Sequence, residues 1–311
     1  MTIYNQTEFY LTGFSTNSVL RMAMSTALIL VYIVSLSGNL LTILITSLDQ
    51  HLQTPMYFFL RSLATSDILF ISTTVPKLLS ILLSGSNIIT LHGCLLQLYM
   101  YLSVGCTIFY TLGLLSIDRY IAIFHPLQYL TIMNSQVCWR FAFGQWILGF
   151  VAFTPLLLLI SRLHWCNRNV IDHFFCDGST LLHLSCSDTH VVEEIYFGFT
   201  TLTIIISFIP TLSSYCFIIS AVCHISSSTG KSKMFSTCSS HLIVVGMGYG
   251  SCIFIYICSS ETTPSFALKT VAVFNSILCP ALHPLLYSLR NQATMTSIRS
   301  ICRKLTLAVN K

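Results

Sequence analysis

Seven long apolar stretches constrain this sequence more than any other feature. Each runs for about 20 residues or more, the length that an α-helix needs to cross the ~30 Å hydrocarbon core of a membrane. Strands of a membrane β-barrel would alternate apolar and polar residues over about ten positions. The sequence therefore predicts an all-α membrane protein, a seven-transmembrane helix bundle. The predicted spans are Met24–Leu48, Pro55–Leu83, Cys94–Phe124, Arg140–Ile160, Ile195–His224, Met234–Cys258 and Leu268–Leu289.

Composition excludes the other broad classes. Hydrophobic residues make up 54% of the 311 residues and charged residues only 8%, whereas an ordinary soluble domain has roughly 25% charged residues. A disordered chain would need low hydrophobicity and high net charge. The net charge of +5 does not indicate nucleic-acid binding, because Lys and Arg are spread along the chain without a cluster interleaved with aromatic residues.

Basic residues are divided unequally between the two ends of the predicted bundle, with ten at one end and five at the other. Short loops rich in Lys and Arg stay in the cytoplasm, so the C-terminus is predicted to be cytoplasmic. We expect a single domain with an extracellular N-terminus (1–23), a helix bundle (24–289) and a cytoplasmic tail (290–311). Asn5 begins the only N-x-S/T sequon, on the predicted outer side, where glycosylation is expected.

Four cysteines lie at the predicted outer end, namely Cys94, Cys166, Cys176 and Cys186. In an oxidising compartment they suggest two disulfides, and spacing alone does not choose among the three pairings. The long outer loop also carries histidines. Disulfide-bonded sulfurs are not thiolate ligands, however, and no tight zinc spacing is present, so we expect no metal site and no cofactor.

Ionisable residues inside a membrane are costly and indicate function. Asp67 lies midway along the second span and Asp118 at the inner end of the third. Asn39 of the first span is a candidate hydrogen-bond partner for Asp67. His283 lies between two prolines of the seventh span, which predicts an irregular helix there.

Other functional classes find little support. A transporter or channel would usually show paired acids, repeated broken helices or a ring of charge. A membrane enzyme would show a motif such as H-E-x-x-H or G-x-S-x-G, and neither is present. A signalling receptor without enzymatic activity is the favoured interpretation, because it needs only a bundle, a pocket and a switch.

Several strings resemble one receptor family. Asp118-Arg119-Tyr120 at the end of the third span looks like the D-R-Y element of rhodopsin-like G-protein-coupled receptors. Longer strings resemble the olfactory receptor subfamily, and together they cover nearly the whole chain. They include LQTPMYFFL at Leu52–Leu60, HPLQY at His125–Tyr129, FSTCSSHL at Phe235–Leu242 and YSLRN at Tyr287–Asn291.

The resemblance implies an odorant receptor of the plasma membrane that activates an olfactory-type stimulatory G protein and raises cyclic AMP. Its implied partners are a small volatile odorant, the heterotrimeric G protein and membrane lipid, with receptor-trafficking chaperones as further candidates. The implied disulfides are Cys94–Cys176 and Cys166–Cys186. The alternatives are a non-olfactory small-molecule chemoreceptor of the same fold and, more remotely, a membrane transporter.

Matching positions imply a ligand cavity in the outer half of the bundle, lined by apolar residues and a few hydroxyls that suit small, neutral ligands. The implied set comprises Tyr101, Leu102, Gly105, Cys106, Phe109, Phe199, Thr200, Thr203, Ile206, Tyr249, Cys252, Ile253, Tyr256, Val273 and Ser276.

The implied switch and G-protein contacts lie at the inner end, at Asp118, Arg119, Tyr120, Tyr215, His241 and Tyr287. The tail has apolar residues at near-helical spacing with basic residues between them, which predicts a short amphipathic helix on the inner leaflet. Cys302 in this helix is a candidate palmitoylation site.

The sequence departs from the family pattern at Leu115-Ser116-Ile117, where the family usually reads M-A-Y before D-R-Y, and at three single residues. Ile108 replaces a frequent acid that faces the Asp67 site, so a bound sodium ion would lose a carboxylate ligand and a strong sodium site is not expected. His283 stands where the family usually has Asn, and Asn275 stands where it often has Tyr. We expect these changes to affect basal activity or coupling.

Overall fold

A computed structural model describes residues 7–14, 17–166, 169–224, 228–258, 263–289 and 292–309. Side chains are described in these ranges except at 228–237, 258, 288–289, 292, 301–302 and 304–309. Within the described part, seven helices are long and apolar enough to cross a membrane. The fold is a seven-helix membrane bundle with a short C-terminal helix, as predicted.

Eight principal helices follow one another along the chain. They are α1 (Ser18–Leu48), α2 (Pro55–Ser84), α3 (Leu91–Phe124), α4 (Ser135–Ser161), α5 (His190–His224), α6 (Ser228–Ile253, continued by a π-helical turn at Phe254–Cys258), α7 (Ser265–Val273, then Phe274–Leu278, Cys279–Pro284 and Leu285–Leu289) and α8 (Gln292–Val309). Shorter elements are a 3₁₀ turn at Gln50–Leu52 and helices at Tyr129–Ile132 and Gly178–Leu182.

Six of the seven spans begin earlier than the apolar pattern predicts, and a polar residue caps three of them, α1, α3 and α4. Asn17 accepts a hydrogen bond from the backbone N–H of Leu20 at 2.8 Å. Thr90 and Asn134 do the same for the third residue after them. A side-chain oxygen at this position satisfies one of the backbone donors that a helix start leaves free. The helices therefore extend past the apolar stretches from which their bounds were predicted.

The prediction of an irregular seventh span is confirmed. A proline removes one backbone hydrogen bond there, and Asn39 of α1 satisfies the freed carbonyl. Pro284 has no N–H, so it cannot bond the carbonyl of Pro280 four residues earlier. The Asn39 side-chain amide of α1 donates to that carbonyl at 3.0 Å. π-Helical segments lie on either side of this α-helical turn. The predicted bond between Asn39 and Asp67 is wrong, because the Asn39 amide is used here.

The centre of the bundle is α3. Of its most apolar 18-residue window, 72% is buried, against 28% for the windows of α1 and α4. The two outer helices expose their apolar residues toward the surrounding lipid. Side chains that project from α3 therefore reach the interior at every level of the bundle.

A small sheet covers one end of the bundle. Strand β1 (Glu8–Leu11) pairs antiparallel with β2 (Ile88–Thr90) and parallel with β3 (Val170–Ile171). Phe9 and Leu11 of β1 are fully buried, whereas the residues beside them face outward. The N-terminal segment, for which the sequence predicted only an extracellular location, thus contributes a strand to this sheet. We call this end, with residues 7–14, 85–90, 162–166 and 169–189, the lid end, and the opposite end the Arg119 end.

Candidate functional site

An internal cavity of about 40 Å³ lies between α3, α5, α6 and α7 beneath the lid end. Its walls are mostly apolar and aromatic, and none of the lining residues carries a charged side chain. The lining residues are Phe70, Tyr101, Leu102, Gly105, Cys106, Phe109, Phe153, Thr200, Thr203, Ile204, Cys252, Tyr256 and Asn275.

The structure brings together most of the predicted ligand set. Nine of the fifteen residues line the cavity, namely Tyr101, Leu102, Gly105, Cys106, Phe109, Thr200, Thr203, Cys252 and Tyr256. Ile206 does not, and it is 50% exposed. Each residue turns a helix by about 100°, so Ile206 lies on the opposite face from Ile204.

The other five predicted residues lie near the cavity but not on its wall. Tyr249 is buried behind Phe109, with their ring centroids 5.0 Å apart. The Ser276 hydroxyl donates to a backbone carbonyl of its own helix. Phe199 packs on Phe153, and Ile253 and Val273 are half-buried in the surrounding packing.

Four lining residues were not predicted, namely Phe70, Phe153, Ile204 and Asn275. The first two come from α2 and α4, which contributed nothing to the predicted set. Asn275 was noted only as a departure from the family. It donates to the Ser251 hydroxyl at 2.8 Å and contacts the Cys252 sulfur at 3.1 Å. A polar amide inside an apolar span was the sequence signal for this position.

The polar groups of the wall are largely satisfied by the protein. The hydroxyls of Thr200 and Thr203 donate to carbonyls one turn earlier in α5. The Cys106 sulfur lies 3.6 Å from the Thr203 hydroxyl. A ligand would find few free donors and no counter-ion, which is the chemistry of a site for neutral, mostly apolar molecules.

At the Arg119 end, Asp118 has two partners. The Arg119 guanidinium lies 3.1 Å from one carboxylate oxygen, and the Tyr129 hydroxyl donates to the other at 2.6 Å. Asp118 is fully buried. Burial and this neighbouring carboxylate raise the pKa of Tyr129, so it remains a neutral donor. Tyr129 was not predicted, and it lies in the short helix after α3.

The remaining predicted switch residues surround this pair. The Tyr215 hydroxyl and His241 Nδ1 are 2.6 Å apart, joining α5 to α6. The rings of His241 and Tyr287 lie 5.8 Å apart, and Tyr120 stacks on Phe124. Among the described residues, His241 Nε2 and the Tyr287 hydroxyl are buried without a hydrogen-bond partner. Such groups are costly to leave unpaired.

Midway through the bundle, Asp67 of α2 contacts His283 of α7. His283 Nδ1 lies 3.0 and 2.9 Å from the two carboxylate oxygens, and both side chains are buried. Because His283 stands where the family usually has Asn, an imidazole rather than an amide contacts the Asp67 carboxylate. Asp67 is held by a protein side chain from α7 rather than by Asn39.

Comparison with known proteins identifies the family. The family model described as olfactory receptor matches residues 28–305. The chain belongs to the olfactory receptor family. Human olfactory receptor 6C1 is 41% identical to it over 298 residues, which cover 96% of each protein. Human olfactory receptor 6C70 is 41% identical over 307 residues, which cover 98% of each. Membership implies a multi-pass membrane receptor rather than an enzyme.

The lid of this olfactory receptor is fixed by two disulfides. The structure contains both Cys94–Cys176 and Cys166–Cys186, the pairing implied by the resemblance. The first joins the start of α3 to the loop above the cavity. The ring of Phe175, next to that cysteine, lies 4.6 Å from the ring of Tyr101 on the cavity wall. The loop therefore closes the cavity on the lid side.

An ion pair ties the receptor's N-terminal segment to the same lid. Lys269 of α7 lies 2.7 Å from an Asp172 carboxylate oxygen, and it also donates to the Thr12 hydroxyl and the Gly13 carbonyl. The hydrogen bond from Lys269 lowers the pKa of Asp172 to about 2. Gly13 has a φ of 59°, a conformation that suits glycine.

His173 lies at the centre of the receptor's lid. Its ring is 4.7 Å from that of Phe174 and 4.4 Å from that of Phe175. Burial lowers the pKa of His173 to about 4, so the ring is neutral at physiological pH. Two modification candidates are not placed, since Asn5 and the side chain of Cys302 lie outside the described residues.

Proposed function

We propose that this olfactory receptor binds a small, neutral, mostly apolar volatile molecule in the cavity beneath the lid. The observation that supports this most directly is the cavity wall, which combines aromatic and aliphatic side chains with a few hydroxyls and carries no charge. Dispersion contacts and one or two hydrogen bonds would hold such a ligand.

The size of the cavity links binding to activation. A volume of about 40 Å³ holds only a few water molecules, since one needs ~10–15 Å³ on this measure. An odorant therefore requires a wider cavity than this arrangement offers. A ligand that binds the wider arrangement better shifts the population toward it. The compact arrangement is accordingly assigned to the resting receptor.

Activation at the Arg119 end follows from the contacts there. An outward movement of α6 would separate His241 from Tyr287 and release Arg119 from Asp118. A cytoplasmic groove lined by Tyr215 and Tyr287 would open. The C-terminal helix of a stimulatory olfactory-type G protein would dock in it, and cyclic AMP would rise. This assigns the Arg119 end to the cytoplasm and the lid end to the outside, in agreement with the basic-residue bias.

A cyclic-AMP reporter screen against a broad odorant panel tests the proposal. Two adjacent isoleucines of α5 provide matched variants. Ile204 is 4% exposed and lines the cavity, whereas Ile205 is 45% exposed on the lipid side. Ile204→Phe should change potency at least tenfold, because one or two methylene groups in a pocket correspond to about 1–3 kcal/mol. Ile205→Phe should respond like the parent. Equal responses of both variants would place the ligand elsewhere.

Coupling is tested with a second matched pair. Arg119→Ala should abolish the cyclic-AMP response. It removes the guanidinium that pairs with Asp118 at rest and lines the G-protein groove after activation. Arg140→Ala removes an equally basic, exposed residue from the same end and should signal normally. Both are compared at equal surface expression. A normal response of Arg119→Ala would refute the switch assignment.

A further inference from the structure

A second pocket lies at the Arg119 end, on the outer surface between α2 and α4. It has a volume of about 460 Å³ and is separate from the ligand cavity. We call it the α2–α4 groove. Its lining residues are Gln53, Thr54, Pro55, Phe58, Arg61, Leu130, Met133, Asn134, Ser135, Cys138 and Trp139.

Among the described residues, Arg61 is the only charged one that lines the α2–α4 groove. The Arg61 side chain is half-buried, and its Nη2 donates to the Thr46 carbonyl at 3.1 Å. Its Nε is buried without a partner, and no described ion pair includes Arg61. Partial burial of a cation costs free energy because the charge loses hydration, and buried charges in proteins are therefore usually paired. An anion in the groove would satisfy it.

The other residues of the groove provide a helix start suited to an anion and an apolar wall suited to acyl chains. The first turn of α4 begins at Ser135 in its wall, and a helix N-terminus favours negative charge. On the membrane side, Trp139 and Leu130 are 53% and 69% exposed. The ring of Trp139 lies 4.9 Å from that of Phe58. These side chains form an apolar wall where acyl chains would lie.

We propose that the α2–α4 groove binds an anionic phospholipid, with its phosphate against Arg61 and its acyl chains along Trp139. Basic pockets between spans bind acidic head groups of the cytoplasmic leaflet, the leaflet that our proposed orientation places at the Arg119 end. In this role the Arg61 guanidinium bonds a lipid phosphate as well as the Thr46 carbonyl. The phosphate would supply the anion that no described carboxylate provides. The odorant cavity is not involved.

Two matched pairs of variants test the lipid site. Arg61→Gln removes the proposed phosphate ligand, whereas Arg140→Gln removes an exposed arginine of the same end. Ser135→Glu places an acid in the groove at a helix start, where it suits the helix, so this variant probes binding even if Arg61→Gln folds poorly. Gln136→Glu places the same acid one residue farther along, exposed and outside the lining.

The measurement is retention of phosphatidylserine by the full-length receptor, purified from nanodiscs of phosphatidylcholine and phosphatidylserine and analysed by mass spectrometry. We expect the parent, Arg140→Gln and Gln136→Glu to retain phosphatidylserine over phosphatidylcholine. Arg61→Gln and Ser135→Glu should lower that preference about tenfold, equivalent to 1.4 kcal/mol. These outcomes do not depend on the odorant or the G protein, so they are separate from the proposed function.

Three outcomes would overturn the lipid site. One is an equal preference in Arg61→Gln and Arg140→Gln, and another is equal retention of the neutral and anionic lipids by the parent. The third is displacement of the lipid by the soluble head group glycerophosphoserine at comparable concentration, since that would make the groove a site for free anions.

Discussion

The two ends of this receptor are held together in different ways. The lid end has two disulfides, a three-stranded sheet and the buried head group of Lys269 against Asp172. At the Arg119 end, the described polar contacts between helices are single hydrogen bonds, such as Tyr215 to His241, beside a small apolar cluster of Tyr215, Ile218 and Cys238.

This difference separates a fixed half from a movable half. Covalent links and sheet pairing restrict the lid, so the lid side of the cavity keeps its geometry while the helices beneath it can move. Single hydrogen bonds contribute only about 0.5–1.5 kcal/mol each, so the Arg119 end can rearrange for the energy that one small ligand supplies. Elements that move in switching are drawn from the least stable part of a protein.

Loss of the lid disulfide should have the largest effect. Cys94→Ser removes the bond between α3 and the loop, and a native disulfide contributes about 2–5 kcal/mol. We expect surface staining to fall strongly. Cys216→Ser, which changes a free and exposed cysteine, should leave it unchanged. Normal staining and response of Cys94→Ser would show that the lid does not need this bond.

Acid should weaken the lid through His173. Its pKa is about 4 in the closed lid and 6.5 when it is solvated, so the open form binds the proton more readily. Lid stability is therefore complete above about pH 6.5 and declines toward pH 4, with a loss of about 2 kcal/mol at pH 5. Thermal unfolding of the parent at two pH values measures this loss.

His173→Gln should remove that part of the pH dependence, because glutamine does not titrate. The ion pair of Asp172 contributes little to the pH dependence at pH 5, because the pKa of that carboxyl is about 2 in the closed lid and 3.8 when solvated, both below that pH. If the parent and His173→Gln lose stability equally on acidification, the burial of His173 is not what weakens the lid.

At the Arg119 end, a single hydroxyl should alter basal signalling. Tyr129→Phe removes the 2.6 Å bond to Asp118 and weakens the resting arrangement by about 0.5–1.5 kcal/mol. Basal cyclic AMP should rise roughly two- to tenfold at matched surface expression. Tyr99→Phe removes a hydroxyl bonded to α4 nearer the lid and serves as the control. Equal basal activity in both variants would contradict a movable Arg119 end.

The smallest effect is expected from Lys269→Met. The Asp172 side chain is 55% exposed, so water replaces much of the lost pairing and the change is at most about 1 kcal/mol. Hydrogen exchange should increase at the amides of Tyr10 and Leu11 in β1. Arg162→Met, an exposed change at the same end, should leave them protected. Unchanged exchange in Lys269→Met would mean that the sheet alone holds β1.

The sequence by itself determined the number, type and order of the spans, because continuous apolar length is a local property. Through its resemblance to the olfactory receptor family it also located the Asp118-Arg119-Tyr120 string and all five residues that α3 contributes to the cavity wall. Positions matched to the family transfer well along a single helix, because the spacing of its residues is fixed. Span starts were less accurate, because caps such as Asn17 are polar and lie outside the apolar pattern.

Only the tertiary structure decided which residues from different helices meet. Ile204 rather than Ile206 faces the cavity because of the rotation of α5, and Phe70 and Phe153 arrive from α2 and α4. His283 contacts Asp67, separated by 216 positions in the chain, while Asn39 bonds the carbonyl that Pro284 leaves free. Such contacts depend on how helices rotate and pack against one another, which no periodicity within a single span specifies.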